Sequence, residues 1–226
     1  LCVHKQLRGK RLTPVLIKQI TRRANRHDIW YALYTSGTVL PSPVSICRYT
    51  HRPLNWSKLH DVGFTHLPGK ATKTQMLATY ALPKEPVTKG LRPMQASDLE
   101  QVRELFNKYQ ARFDLVQNFS KEEFSHWFIG GDEQSTTTDP SKKVIYSYVV
   151  EDADGKISDF FSFYSLPFTI LNNSIHKELG IGYLFYYASD ADLSYADRFE
   201  PAATAALKER LCQLVNDACI LARNAK

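Results

Sequence analysis

The order of secondary-structure patterns along the chain predicts an α/β fold, a mixed sheet with flanking helices. From residue 97 onward the order is helix, helix, strand, strand, strand, helix, and the first 45 residues follow the order strand, turn, helix, strand. This alternation favours layers of helix packed on sheet. A chain of 226 residues can bury a sizeable core in one or two domains. Each half has a strand leading into a helix, which suggests two related units.

The first element is a strand at residues 1–3, followed by a basic turn. Thr13 suits an N-cap and Pro14 suits the first helical position, so we expect a helix to begin there and run to Arg23. Two further strands are predicted at Ile29–Tyr34 and Val44–His51, where aromatic and aliphatic residues are frequent.

Residues 65–93 are rich in proline, glycine and polar residues, which predicts a long surface connection with a helical patch near Met76–Tyr80. Two capping-box patterns follow, at Ser97–Glu100 and at Ser120–Glu123, and predict helices to about Gln110 and Ile129. The apolar face of the first helix is predicted at Leu99, Val102, Leu105, Phe106 and Tyr109.

The second half of this region predicts a hairpin and a final helix. A polar loop at Gly130–Lys143 precedes strands at Val144–Glu151 and Ile157–Tyr164, which the turn Asp154–Gly155 joins. The last strand is expected at Ile181–Ala188. The last helix is expected at Pro201–Ala225, with an inward face formed by Leu207, Leu211, Leu214, Val215, Cys219 and Leu221.

The net charge of +6 is unevenly distributed. Residues 1–60 carry eleven Lys and Arg and one acid, Asp28, which gives +10 there and −4 in the remainder. Such a basic segment points to an anionic partner, either nucleic acid or a phosphorylated ligand.

The basic turn Arg8–Arg11 lies directly before the predicted helix. Guanidinium groups, free backbone N–H groups and the positive end of the helix dipole would converge there, which predicts a phosphate site. The alternative is a basic turn that only contacts solvent.

Other candidate chemistry is weaker. The four cysteines form no CxxC pair, so we expect reduced thiols in an intracellular protein, and Cys2 has no base at a motif spacing that would make it a nucleophile. Asp190 and Asp192 alone are poor evidence for a metal, and we predict none. No apolar run reaches the roughly 20 residues that cross a membrane, and no signal peptide is present.

Several strings resemble the N-myristoyltransferases (glycylpeptide N-tetradecanoyltransferases), particularly fungal members. They are LCVHK followed by LRGKRLTPVLIKQITRR, then YTSGTVLPSPVSICRYTHRPLNW, GLRPMQASDLEQVRELFNKYQARFDL, ISDFFSFYSLPFTILNN and IGYLFYYASDADL. The resemblance runs the whole length of the chain, and the strings occur in the family's order.

The resemblance implies a Gcn5-related acetyltransferase-like fold, part of a pseudo-twofold architecture of two halves. Residues 1–47 would end the N-terminal half, which binds myristoyl-CoA, and residues 48–226 would form most of the C-terminal half, which binds peptide. The chain would then be an internal segment of the enzyme. A cytoplasmic, monomeric enzyme without a prosthetic group or a membrane span is expected, with myristoyl-CoA as co-substrate.

The resemblance also assigns roles to residues. Leu1 would contribute its backbone N–H to the oxyanion hole that polarises the thioester carbonyl, and Thr35 would help bind the ammonium of the substrate's N-terminal glycine. The acyl-CoA would be bound by Leu1, Cys2, Arg8, Gly9, Lys10, Arg11, Leu12 and Thr13. The peptide groove would be lined by Tyr34, Thr35, Gly37, Tyr49, His51, Phe64, Tyr164, Leu171 and Tyr183.

The implied reaction is direct attack of the glycine amine on the thioester, without an acyl-enzyme. The family's base is its C-terminal carboxylate, and neither that terminus nor the family's glycine-rich second signature is found here, so we expect the 226 residues alone to be inactive. The turn also departs from the superfamily's pyrophosphate loop at Arg11, and from the family at Gly9, where a serine is usual.

Alternatives remain for the function and for single residues. The protein could be another acyl-CoA-dependent N-acyltransferase of the same superfamily, or a basic module that binds nucleic acid. Without the resemblance, His4 and His51 read as structural histidines. Tyr183, Phe185, Tyr186 and Tyr187 read as core aromatics, of which the alternation places only some on a groove.

Overall fold

A computed structural model describes residues 1–130 and 143–225, so most of the polar loop expected at Gly130–Lys143 lies outside the described residues. The chain divides into two compact units, Leu1–Thr50 and His51–Lys226.

The unit Leu1–Thr50 contains helix α1 (Leu12–Asn25) and a short 3-10 turn at Lys5–Leu7. None of its residues is buried. The three strands predicted here, at residues 1–3, Ile29–Tyr34 and Val44–His51, are not formed. A strand needs a neighbour to pair its backbone N–H and C=O groups, and the described residues offer these segments none.

The unit His51–Lys226 contains the remaining elements. Its helices are α2 (Trp56–Asp61), α3 (Lys73–Thr79), α4 (Leu99–Gln110), α5 (Lys121–Ile129) and α6 (Pro201–Asn224). Its strands are β1 (Leu91–Pro93), β2 (Ile145–Glu151), β3 (Ile157–Ser165), β4 (Phe168–Thr169), β5 (Glu178–Leu179) and β6 (Gly182–Ser189). The hairpin β2–β3, strand β6 and helices α3 to α6 confirm the sequence prediction. Helix α2 and strands β1, β4 and β5 were not predicted.

The four main strands form one sheet in the order β1-β2-β3-β6, and β4 pairs separately with β5. Tyr148 lies opposite Phe161, and Tyr164 lies opposite Tyr183. The α/β prediction with flanking helices is confirmed. We expected a mixed sheet, but every pairing among the described strands is antiparallel.

The sheet has a separate core on each face, because side chains alternate along a strand. On one face Val149 and Phe160 pack with α4 and α5 through Phe106, Phe124 and Phe128. On the other face α6 packs against the sheet, and the buried residues there are Tyr146, Val150, Phe161, Phe163, Leu214 and Ala218. Helices therefore lie on both sides of the sheet.

The capping prediction for α5 is confirmed, since the Ser120 side chain accepts from Glu123 N–H and the Glu123 side chain accepts from Ser120 N–H. The prediction for α4 was wrong at its start. The reciprocal pair is Gln95 with Asp98, and the helix proper begins at Leu99. The Asp98 carboxylate also binds Arg92, a partner that a local pattern does not reveal.

The predicted apolar face of α4 is confirmed, whereas the predicted inward face of α6 is correct only in part. Val102, Leu105, Phe106 and Tyr109 of α4 are buried, and Leu99 packs against them. On α6, Leu214 is buried as predicted, but Val215 is exposed, while Ala203, Asp217, Ala218 and Ile220 are the other buried residues. Among the residues described, no helix is both long and apolar enough to cross a membrane.

Candidate functional site

The predicted phosphate turn is a compact bend between the 3-10 turn and α1. Gly9 has φ +81° and Arg11 has φ +54°, so two left-handed residues fold Arg8–Arg11 tightly. The Arg8 N–H donates to Lys5 O (3.2 Å), and the Arg8 Nε donates to Val3 O (3.1 Å). The guanidinium of Arg8 is therefore held against residues that precede the turn.

Helix α1 begins two residues earlier than predicted. Its N-cap is Arg11, which makes no side-chain capping hydrogen bond, and Thr13 therefore lies inside the first turn. The first N–H groups of a helix have no intrahelical acceptor. Among residues 1–130 and 143–225 no side chain caps these N–H groups, which leaves them available to an anion.

The cations of the turn are available to a ligand. Lys10 and Arg11 are exposed, and neither forms an ion pair with any residue of 1–130 or 143–225. Leu1, Cys2 and Gly9 are exposed too, and Leu12 is partly exposed. The turn thus combines cations, uncapped N–H groups and open space, which is what a phosphate site requires.

Four of the predicted groove residues lie in the same unit as this turn: Tyr34, Thr35, Gly37 and Tyr49. All four are exposed. The bend at Gly37 is closed by its neighbours, since the Thr38 N–H donates to Ser36 Oγ (3.2 Å).

The other predicted groove residues lie in the sheet-containing unit, and four of them form two aromatic pairs. The rings of His51 and Phe64 meet edge to face, with centroids 5.7 Å apart. Tyr164 and Tyr183 stack in parallel at 5.2 Å, because they face each other across β3 and β6. Leu171 is highly exposed between β4 and β5.

Two further aromatics lie beside the tyrosine pair: Trp127, which the sequence analysis did not name, and Phe185, which it named only among the core aromatics. The ring of Phe185 lies 5.6 Å from that of Tyr164 and 6.0 Å from that of Trp127, whose side chain is half exposed. Phe185 follows Tyr183 by two positions on β6, so the period of a strand was the signal that could have found it. Phe185, Tyr186 and Tyr187 all pack against the core, and a register shift between β3 and β6 interrupts the simple alternation of faces.

Asp190 and Asp192 of this unit are both engaged in ion pairs. Asp192 is fully buried beside Arg112, with Nη1 3.1 Å from Oδ2, and Asp190 binds Lys156 at 2.7 Å. Since each aspartate has its own cation, the pair is no metal centre. Within the described parts of the chain, no group of three His, Cys, Asp or Glu residues could hold a metal ion.

The family follows from comparison with known proteins. The family described as "Myristoyl-CoA:protein N-myristoyltransferase, C-terminal domain" matches residues 61–226, and the corresponding N-terminal domain matches residues 1–47. The chain therefore belongs to the N-myristoyltransferase family.

Curated relatives and solved structures agree with this. The chain is 65% identical to the glycylpeptide N-tetradecanoyltransferase of Eremothecium gossypii and 66% identical to that of Saccharomyces cerevisiae, and each match covers 100% of the chain. It covers 48% and 49% of those proteins, so it spans about half of their length. It also matches a crystal structure of the Saccharomyces cerevisiae N-myristoyltransferase with bound myristoyl-CoA, at TM-score 0.94 and 64% identity, over 100% of this chain and 50% of that chain.

Proposed function

We propose that the protein to which this chain belongs transfers myristate from myristoyl-CoA to the N-terminal glycine amine of other proteins. The observation that carries the proposal is the similarity to glycylpeptide N-tetradecanoyltransferases over the entire chain. It favours this reaction over another N-acyltransferase and over a nucleic-acid-binding module, which the charge distribution alone would permit.

Residues 1–47 would belong to the half that binds the acyl-CoA, and residues 48–226 to the half that binds peptide, in the two-half Gcn5-related architecture. The matched domain ranges and the division of the structure after Thr50 support this boundary. We also propose that the enzyme is a cytoplasmic monomer, as the resemblance implies.

The turn at Arg8–Arg11 would bind the phosphates of CoA. Exposed Lys10 and Arg11 would supply charge, and the first N–H groups of α1, including those of Leu12 and Thr13, would supply oriented donors. Gly9 has no hydroxyl, but nothing lies within 4 Å of the space that a Cβ would occupy, so its backbone remains accessible to phosphate.

The chemistry would be direct aminolysis. The glycine ammonium would first lose a proton to a base, which the family resemblance implies is the C-terminal carboxylate of the whole enzyme. The amine would then attack the thioester carbonyl to form the C–N bond and a tetrahedral oxyanion. Collapse of this oxyanion would break the C–S bond, and the second proton of the nitrogen would pass to sulfur, so that CoA leaves as the thiol. The developing oxyanion would be stabilised by the backbone N–H of Leu1, and one such donor is typically worth about 10²–10³ in rate. Thr35 would bind the glycine ammonium, and a side chain on the first residue would be excluded there.

The peptide would contact the two aromatic pairs, His51–Phe64 and Tyr164–Tyr183, together with Tyr34, Gly37, Tyr49 and Leu171. Stacked and edge-to-face aromatics offer broad apolar surfaces with polar edges, which suits an extended peptide.

The experiment that tests the phosphate assignment compares two charge-matched double variants of α1 and its preceding turn. We expect Lys10→Ala/Arg11→Ala to weaken binding of myristoyl-CoA at least tenfold, measured by calorimetric titration, because two phosphate contacts are lost. Lys18→Ala/Arg22→Ala removes the same charge from exposed positions farther along α1 and should change the affinity less than threefold. Equal losses in both variants would show that only net charge matters. Tight DNA or RNA binding with a steep salt dependence would support the nucleic-acid alternative instead.

A further inference from the structure

The last turns of α6 contact the strand that carries one of the two aromatic pairs. A Cβ built on Gly182 would lie 3.6 Å from the Ala222 Cβ and 3.8 Å from Phe163, so the backbone at the start of β6 passes close to the helix. Tyr183 is the next residue. The position of the Tyr164–Tyr183 pair is thus tied to the C-terminal part of α6.

The same turns hold the connector, which we define as residues 80–90, between α3 and β1. The Arg223 guanidinium donates from Nη1 to Leu82 O (3.1 Å) and from Nη2 to Lys84 O (3.0 Å). These are charge-assisted hydrogen bonds to two carbonyls of an otherwise mostly exposed segment.

A second contact lies six residues earlier on α6, at Asp217. Asp217 is fully buried, and its two carboxylate oxygens accept from Val87 N–H (3.0 Å) and Thr88 N–H (3.1 Å). A buried carboxylate is costly unless it is hydrogen-bonded, and these two amides are the partners that satisfy it. The connector is therefore fixed to α6 at both of its ends.

The connector leads back to the other aromatic pair. Arg52, which follows His51, donates to Tyr80 O (3.4 Å), and its guanidinium lies 5.0 Å from the centre of the Tyr80 ring. Burial raises the pKa of the Cys219 thiol on α6, and the positive charge of Arg52 partly opposes this rise. Arg52 therefore lies near α6. No residue of 51–80 belongs to either core cluster; the region has its own buried side chain, Trp56, and Arg52 adds a polar contact to the connector.

We propose that Asp217 and Arg223 are positioning residues that set the spacing between the His51–Phe64 pair and the Tyr164–Tyr183 pair, and thereby the affinity for the acceptor peptide. This inference rests on the proposed function, because it takes both pairs as parts of one peptide groove. Neither residue touches the peptide. Each acts through the connector, which α6 holds beside the start of β6.

The chain offers a matched control on the same helix. Arg210 binds Asp159 of β3 with two hydrogen bonds, of 3.0 Å and 2.6 Å, so it fixes α6 to the sheet and makes no hydrogen bond to the connector. Arg210→Met removes an arginine from α6 as Arg223→Met does, but it leaves the connector contacts in place.

The test measures binding of a fluorescent octapeptide with an N-terminal glycine, together with amide hydrogen exchange, in the full chain and in three variants. We expect Arg223→Met and Asp217→Asn to weaken peptide binding about tenfold and to raise exchange at residues 51–65 and 80–88. Myristoyl-CoA binding should change less than twofold. Arg210→Met should leave peptide binding within twofold at temperatures where all variants are folded, and Arg223→Lys, which retains one donor group, should recover part of the affinity.

Two results would overturn the inference. One is that Arg210→Met loses as much peptide affinity as Arg223→Met when the two variants have the same fall in Tm. The loss of affinity would then be explained by general destabilisation. The other is that amide exchange rises only at residues 80–88. In that case a change in the connector would not alter the position of His51. Failure of the unsubstituted chain to bind the peptide would instead count against its proposed peptide-binding role, and exchange at residues 51–65 would then decide whether the attachment itself exists.

Discussion

The units Leu1–Thr50 and His51–Lys226 differ in how many side chains they bury. The first has a well-formed helix but no buried side chain, and the apolar residues of α1, such as Val15, Ile17 and Ile20, are about half exposed. The second encloses two cores on opposite faces of a sheet and adds an ion pair between α6 and β3, Arg210 with the buried Asp159.

This difference shows that the excess positive charge lies in one unit and the buried cores lie in the other. Nine of the eleven cations of residues 1–60 lie before residue 51, where no core restrains them. The sheet-containing unit has a surplus of acids, and several of these acids are buried in contact with arginine or with backbone N–H groups. A substitution should therefore act mainly on stability in one unit and mainly on ligand binding in the other.

The largest contrast should come from deleting apolar side chains. Phe160 is fully buried between Phe124 and Phe128, and Phe160→Ala should cost about 3–5 kcal/mol of unfolding free energy because it leaves a cavity. Ile17→Ala, at a site 52% exposed on α1, should cost less than about 1 kcal/mol. Urea unfolding followed by circular dichroism measures both. Comparable losses would mean that α1 belongs to a core as cooperative as that of the sheet.

Gly90 and Gly9 have similar φ angles but different surroundings, so their alanine variants distinguish the cost of backbone strain from the cost of steric crowding. Gly90 has φ +75°, and an added Cβ would lie 2.0 Å from Glu151 O, so Gly90→Ala should cost roughly 2–4 kcal/mol through strain and displacement of β2. Gly9 has φ +81° and open space, so Gly9→Ala should cost only about 1 kcal/mol. The difference in urea midpoint between the two alanine variants is the measurement, and its absence would show that Glu151 moves freely.

Acid stability should also depend on the sheet-containing unit. Hydrogen bonds from Arg92 hold the pKa of Asp98 below its ordinary value of 3.8. A depressed folded pKa stabilises the fold at pH values above the unfolded value, and this contribution is lost as pH falls through the folded pKa, below 3.8. Asp98→Asn should therefore cost about 1–3 kcal/mol at neutral pH and weaken the pH dependence of stability below about pH 4.

That prediction has its own control in Asp28, the one acid of residues 1–60, whose carboxylate accepts from Trp30 Nε1. Asp28 is exposed and forms no ion pair with a described residue, so Asp28→Asn should change the unfolding free energy at neutral pH by less than about 0.5 kcal/mol. Thermal unfolding between pH 2 and pH 7 measures both asparagine variants. An acid limb that is the same in Asp98→Asn as in the unsubstituted chain would assign the pH dependence to other carboxylates.

The smallest effect tests the helix starts. Ser120→Ala removes a formed capping box and should cost about 1 kcal/mol, whereas Thr13→Ala should leave stability nearly unchanged because Thr13 caps nothing. Thermal unfolding of the two alanine variants measures the difference. A larger loss for Thr13→Ala would indicate that its hydroxyl stabilises the turn in a way that the hydrogen bonds at the N-cap do not show.

Local patterns predicted the sheet-containing unit well wherever neighbours in sequence supply the relevant interactions. The Ser120–Glu123 box, the turn Asp154–Gly155 and the apolar face of α4 depend on residues only a few positions apart, and all three formed as predicted. The predicted start of α4 was wrong because Asp98 binds Arg92, which a local pattern does not show. The predicted inward face of α6 was wrong in part because Asp217 is buried by its hydrogen bonds to Val87 and Thr88, 130 and 129 positions away.

The candidate site shows the same division. The sequence by itself determined the charge of the Arg8–Arg11 turn, the helix that follows it and the family resemblance, since these need only local chemistry and residue order. Tertiary structure alone decided that segments with strand patterns in Leu1–Thr50 stay unpaired, that Tyr164 stacks on Tyr183, and that α6 holds the connector beside β6. The physical reason is that pairing, stacking and burial require a partner from elsewhere in the chain, and local sequence does not specify which distant residue it will be.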